Sequence, residues 1–164
     1  MIDGDTVKVR LGGSVDKTYT VRLLGIDTPE TRKPGTPVEC GGKQATSFMF
    51  GLGFTAAVDS DGDKLLDRKD GRGTRVDVST DRTQQLFDRF KRLLVYVDVP
   101  AGARGPAFAR YDLSQQIIGG GWSKTYTFKR KVRRYSRYKT TENEARSAGR
   151  GGWSSCGGDF HSAS

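Results

Sequence analysis

Three segments of this 164-residue chain alternate apolar and polar side chains with a period of two. Over 6–11, Val7, Val9 and Leu11 share one side while Lys8 and Arg10 take the other. Over 18–24, Tyr19, Val21 and Leu23 oppose Thr18, Thr20 and Arg22; over 92–99, Leu93, Val95, Val97 and Val99 oppose Arg92, Leu94 and Tyr96. A strand sends successive side chains to opposite faces, so the pattern predicts three strands, each with an apolar face. Gly12-Gly13-Ser14 is a turn signal that makes the first two a hairpin. Thr28-Pro29-Glu30 must leave the sheet, because proline fixes its own φ and biases the residue before it. A further short strand is expected over 75–79. Helical signals are brief: 42–50, then 113–118 ending at Gly119-Gly120-Gly121, then 141–148. In the last, Thr141 and Glu144 have capping-box spacing and Gly149 is the stop. With 22 glycines, a helical bundle is disfavoured and a loop-rich α+β fold built on a small barrel is expected. At this length one compact domain is the expectation, and no apolar run is long enough to span a membrane. No basic-then-apolar leader opens the chain at Met1-Ile2-Asp3.

Charge narrows the chemistry. Lys and Arg number 28 against 19 Asp and Glu, a net +9, and ten of those cations fall within 122–150 with only Glu142 and Glu144 against them. Tyr126, Phe128, Tyr135 and Tyr138 are interleaved with this tract. Such a stretch suits a phosphate backbone, with rings available for stacking on bases. A solvated surface or a patch for anionic lipid is the alternative reading. His161 is the single histidine. Its solitude argues against a His/Cys zinc site, a paired-histidine ribonuclease and a Ser-His-Asp triad. Catalysis would have to use carboxylates, arginines, lysines or a hard metal.

Four segments stand out together: Asp3-Gly4-Asp5-Thr6; 22–31, with Arg22, Asp27, Thr28, Pro29 and Glu30; 88–94, with Asp88, Arg89, Phe90, Lys91 and Arg92; and Glu144-Ala145-Arg146 leading to Gly152-Trp153. In this order and spacing they resemble the staphylococcal nuclease (thermonuclease) family over about residues 2–156. The resemblance implies a five-stranded OB-type β-barrel with about three short helices over 1–156, followed by a flexible Gly/Ser tail over 157–164. It implies a calcium-dependent nuclease acting on DNA and RNA with low sequence specificity, leaving 3′-phosphates. Asp5, Asp27 and the Thr28 carbonyl would hold the calcium ion, an oxygen-only set of the kind a hard cation prefers. Asp3 would stand behind them. Glu30 matches the family's general base, and Arg22 and Arg92 match its two phosphate-clamping arginines. Guanidinium groups suit that task because they stay charged and donate in a fork. Arg89, Lys124 and Tyr126 would contact substrate. A monomer that meets nucleic acid and no membrane is expected. A non-catalytic OB-type nucleic-acid-binding module is the competing reading.

This chain departs from the family pattern in three places. Only Met1 and Ile2 precede the Asp-Gly-Asp, so the first strand is expected to be short. Phe90 stands where a nucleotide-contacting tyrosine is common, and Lys91 replaces a glycine before the second arginine. Cys40 and Cys156 are the only cysteines. Likeness to secreted enzymes suggests that they form a disulfide and that the protein works outside the cell, whereas two free buried thiols would fit a cytosolic protein. The acidic run 59–70 partly matches a calcium loop, but Lys64 occupies the glycine position, which favours a solvated loop. Gly41-Gly42-Lys43-Gln44 lacks the first glycine and the hydroxyl of a phosphate-binding loop.

Overall fold

The computed structural model describes residues 3–11, 17–31, 35, 37–53, 75–100 and 110–161; the acidic run 59–70 lies outside them. In chain order the elements are β1 Thr6–Leu11, β2 Lys17–Leu23, β3 Ile26–Asp27, α1 Gly42–Gly53, β4 Asp77–Ser79, β5 Leu93–Pro100, β6 Arg110–Asp112, α2 Leu113–Gly119, β7 Lys124–Thr125, α3 Tyr135–Ser147 and α4 Gly152–Ser155. β1 and β2 pair antiparallel as the alternation predicts, with Thr6 opposite Arg22 and Val9 opposite Tyr19. β5 then lies parallel to β2, Arg22 opposite Leu94, and carries β4 and β6 antiparallel along its later residues. A separate pair joins β3 to β7. The fold is mixed α+β, with four helices among the described residues where about three were expected. Among the described residues no hydrogen-bonded closure into a barrel is found.

β5 differs from its expected one-sided burial. Leu93 to Val97 are all buried, because both faces of the strand are covered. One face joins Val21, Leu23 and Ile117 in the core. On the other, the Tyr96 hydroxyl donates to Asp81 Oδ2 at 2.5 Å, its ring meets Tyr138 edge-on at 6.4 Å, and the Arg134 guanidinium lies 4.2 Å above it. A strand sandwiched on both sides accepts apolar residues at every position, so alternation there is a weak guide.

α3 starts six residues before the expected Thr141. That threonine is inside the helix, its hydroxyl donating to the Arg137 carbonyl, and no side chain caps the start at Arg134. Buried positions place the helix instead: Tyr138, Glu142 and Ala145 recur at three- and four-residue spacing. Gly149 does stop it, with φ +59° just past the C-cap. Asp112 joins α3 to α2. It caps α2 by accepting the Gln115 N–H, and takes the Tyr138 hydroxyl at 2.9 Å together with Arg134 and Arg137.

The C-terminal region closes back on the body of the protein. Cys40 and Cys156 form a disulfide with Cα atoms 5.9 Å apart, among described residues without any free cysteine. Packing continues past 156, into the segment expected as a flexible tail: Phe160 is fully buried, 5.0 Å from the Trp153 ring and against Gly152. An aromatic side chain with a pocket to fill outweighs the entropy of a Gly/Ser-rich context. The turn before β7 interlocks with the one before α4. Gly121, at φ +76°, would put a Cβ 2.1 Å from the Arg150 carbonyl oxygen, and Gly152 N–H donates to the Gly121 carbonyl at 2.8 Å. Gly121→Ala combines left-handed strain with a backbone clash, so urea denaturation should show a loss of about 3 kcal/mol. A loss within experimental error would mean that these two turns are not locked together.

Candidate active site

The β1–β2 register sets the site. It brings the turn before β1 beside the end of β2, where Leu23 N–H donates to the Asp5 carbonyl at 2.9 Å. Within that turn the Asp5 N–H is held by Asp3 Oδ1 at 3.1 Å. Gly4 permits a close approach, since a Cβ there would lie 2.9 Å from Thr28 Oγ1 and 3.1 Å from Ala45. The turn thus packs directly on the 27–30 loop.

Arg22 occupies the space between them. It lies on the face opposite Val21 and Leu23, as expected, yet it is only 5% exposed rather than projecting into solvent. Its Nη1 donates to the carbonyls of Leu23 at 3.1 Å and Ile26 at 2.9 Å. Its Nη2 is 3.0 Å from Asp5 Oδ2 and donates to Asp27 Oδ1, also at 3.0 Å. Both carboxylate oxygens therefore lie within 3.0 Å of one nitrogen. Asp5 Oδ2 accepts the Thr28 N–H at 3.1 Å, and Asp5 Oδ1 accepts the Thr6 hydroxyl at 3.1 Å. Asp5, Arg22, Asp27 and Thr28 are one hydrogen-bonded unit. Ser123, at the entry to β7, holds the Asp27 carbonyl from below at 2.9 Å.

Arg92 reaches this unit through Thr6, donating from Nη1 to its hydroxyl at 3.3 Å. Its Nε donates to Asp88 Oδ2 at 2.7 Å, and Asp88 Oδ1 accepts the N–H groups of Phe90 and Arg92. These hydrogen bonds hold the Asp88 carboxyl below its usual pKa, against the opposing effect of burial. The tight turn is retained despite the missing glycine: Lys91 adopts φ +60°, the left-handed region. Phe90 is 63% exposed, with the Arg89 guanidinium 4.7 Å and that of Arg92 5.3 Å from its ring. Arg89 is thereby tied to Arg92 by a shared aromatic face.

The remaining expected residues lie around the rim. Glu30 is exposed, and its carboxyl pKa is raised by desolvation, with Asp5 and Glu39 adding repulsion. Lys124 is the strand partner of Asp27, its Nζ 4.9 Å from the Phe160 ring. Tyr126 N–H donates to the Gly25 carbonyl, while the ring, 38% exposed, packs edge-on against Phe128 at 4.8 Å. Tyr126 is fixed to the sheet through its backbone. Sequence reasoning missed Glu39 and His161. The Glu39 carboxylate accepts the Glu30 N–H at 2.8 Å, and His161 Nδ1 lies 2.9 Å from the same oxygen. His161 Nε2 is 3.5 Å from Asp27 Oδ2. Nothing in the local sequence signals the two His161 contacts, which join residues more than a hundred positions apart.

The donor set suits a hard cation. Burial and the neighbouring Asp5 push the Asp3 carboxyl up to about 7, and burial also raises Asp27 against the pull of Arg22. One guanidinium does not offset this many carboxylates, so a divalent ion would relieve the repulsion. Among the described residues no three His, Cys, Asp or Glu side chains gather as a metal cage. Such an ion would rest on two carboxylates, with a backbone carbonyl and water completing the shell.

The sequence model of the family described as "Staphylococcal nuclease homologue" matches residues 20–155. A thermonuclease of Staphylococcus hyicus is 50% identical over 48 residues, 29% of this chain and 27% of its own length. The SPbeta prophage-derived endonuclease YokF of Bacillus subtilis is 29% identical over 157 residues, 95% of this chain and 43% of its own. Endonuclease YncB of the same organism is 28% identical over 157 residues, 95% of this chain and 60% of its own. The chain therefore spans between about a quarter and three fifths of the length of these relatives.

The 88–92 turn makes two outcomes measurable. A carboxyl with a depressed folded-state pKa stabilises the fold above its unfolded value, near 3.8, and that contribution fades as pH falls through the lower folded value. Asp88→Asn should therefore be less stable than wild type by a constant amount above pH 5, the gap closing below pH 3.8. A gap unchanged down to pH 2 would show that the charge on Asp88 is not what holds Arg92. Lys91→Gly, freed of left-handed strain, should gain about 1 kcal/mol in chemical denaturation; a loss would show that the turn tolerates lysine without cost.

Proposed function

Since the chain belongs to the staphylococcal nuclease homologue family, we propose that it hydrolyses phosphodiester bonds of DNA and RNA with low sequence specificity at the Asp5–Arg22–Asp27 unit. The observation that carries this reading is the single Arg22 nitrogen 3.0 Å from both aspartates, with Arg92 one hydroxyl away. Acidic and guanidinium groups converge there from separate segments of the chain. That arrangement is costly to bury, and phosphoryl transfer gives it a use.

Asp5, Asp27 and the Thr28 carbonyl would hold a calcium ion, whose charge offsets that of the phosphate oxygens. Glu30 takes the proton of the attacking water onto its carboxylate. Its raised pKa makes it a better base than a fully hydrated glutamate. Arg22 and Arg92 donate to the non-bridging phosphate oxygens, where charge accumulates in the transition state. Arg22 spends its Nη2 on the two aspartates in this structure, so releasing either of them frees a donor for the phosphate. Attack on the 5′ side of phosphorus would leave 3′-phosphate products.

Arg89, Lys124 and Tyr126 are the proposed substrate contacts, the first through the Phe90 ring it shares with Arg92. Exposed cations at 129–131 and 133, with Tyr126 and Phe128 beside them, extend the basic surface along which a strand could track. In this reading the strands complete an OB-type barrel, and the protein is a secreted monomer that the Cys40–Cys156 bridge stabilises outside the cell.

Single-stranded DNA incubated with calcium should be cut, and a chelator should stop the reaction. Glu30→Gln should lower kcat about 10²–10⁴-fold, and Arg92→Ala about 10²–10³-fold. End-group analysis should find 3′-phosphates. Equal cleavage in all conditions would reject this mechanism. Salt-sensitive DNA affinity without turnover would instead establish a non-catalytic binding module.

A further inference from the structure

The C-terminal strap ends on the one loop that carries Glu30. Glu39 holds the Glu30 backbone twice: the Glu30 N–H donates to Glu39 Oε2 at 2.8 Å, and the Glu39 N–H donates to the Glu30 carbonyl at 3.0 Å. Gly42 presses against the same carbonyl, where a Cβ would lie 2.8 Å from the oxygen. The backbone of Glu30 is therefore held, while its side chain is left exposed. The clamp depends on where the Glu39 carboxylate points, and that carboxylate has a second partner. His161 Nδ1 lies 2.9 Å from Glu39 Oε2, the very oxygen that receives the Glu30 N–H.

An exposed imidazole does not hold a position unaided, because its rotamer freedom opposes the contact. Two anchors precede this one in the chain. Cys156, five residues earlier, is bonded to Cys40, which is the neighbour of Glu39. Phe160, the preceding residue, is fully buried against Trp153 and Gly152. The disulfide and the aromatic plug thus hold the segment that brings His161 to Glu39. Asp159 Oδ1 also accepts the His161 N–H at 3.3 Å.

We propose that His161 is a positioning residue for Glu30, acting through Glu39, so that the C-terminal strap is part of the catalytic apparatus. This rests on the nuclease reading, in which Glu30 is the base. His161 touches no substrate in this scheme: it donates from Nδ1 to Glu39, Glu39 fixes the Glu30 backbone, and the Glu30 carboxylate is presented at a constant distance from the acidic unit. A base that wanders by an ångström loses rate without losing substrate affinity, so the signature is a kcat effect.

The test uses the full chain labelled with ¹⁵N, compared with His161→Ala and His161→Asn. The asparagine side-chain amide can donate from about where Nδ1 lies, and alanine cannot. In His161→Ala the Glu30 amide should exchange with solvent about tenfold faster, as expected for losing one supporting hydrogen bond. Its kcat on single-stranded DNA should fall about tenfold with KM within about twofold. His161→Asn should restore both, and all three proteins should melt together, since the side chain is exposed. Unchanged Glu30 exchange in His161→Ala, faster exchange with unchanged kcat, or an asparagine variant no better than alanine would each overturn the proposal. Absence of turnover in the wild type would overturn the nuclease reading instead, and is told apart because Glu30 exchange is read without substrate.

Discussion

A guanidinium ion in the interior of a protein must find partners for its donors, and Arg22 finds four. Two are carbonyls at the β2–β3 corner and two are aspartates from different segments. Removing one partner of such a buried ionic unit typically costs about 3–5 kcal/mol, because the other is left charged and unpaired. The geometry of the turn before β1, the end of β2 and the 27–30 loop is therefore set by one side chain. Everything else at the site is arranged around that ion.

Arg92 is held on a different principle. It sits at the surface end of β5, and its orientation comes from a short turn in which Asp88 gathers two backbone N–H groups and the Nε of the arginine itself. One arginine is thus fixed by burial, the other by a local hydrogen-bonded loop, and Thr6 joins them. The two environments also separate what each can do. Arg22 moves only if an aspartate lets go, whereas Arg92 can turn toward a ligand while its backbone stays in place.

Much of this was legible in the amino-acid order, and the failures share a cause. The hairpin, helices expected over 42–50 and 113–118 and found over 42–53 and 113–119, and the grouping of Asp5, Arg22 and Asp27 follow from alternation, turn chemistry and the resemblance of short segments to a known family. The depth of Arg22 is not legible there: strand alternation says which face a residue takes, not whether that face is later covered. The start of α3 was misread because Thr141 and Glu144 imitate a cap, while the true determinant is the spacing of Tyr138, Glu142 and Ala145 against other elements. The pairing of His161 with Glu39 is not legible there, because the contact spans 122 residues. Local patterns carry local structure, and a disulfide-tethered strap is not local.

The order in which the centre can assemble follows from the pairing of β3 with β7. Asp27 depends on Lys124 for its strand partner and on Ser123 for its carbonyl, nearly a hundred residues downstream. A nascent chain stalled before that point can form the β1–β2 hairpin, but β3 would still lack its partner strand. Contacts across such spans form late, after the loop between them has been closed. The acidic unit therefore stays incomplete until the chain has been synthesised through β7.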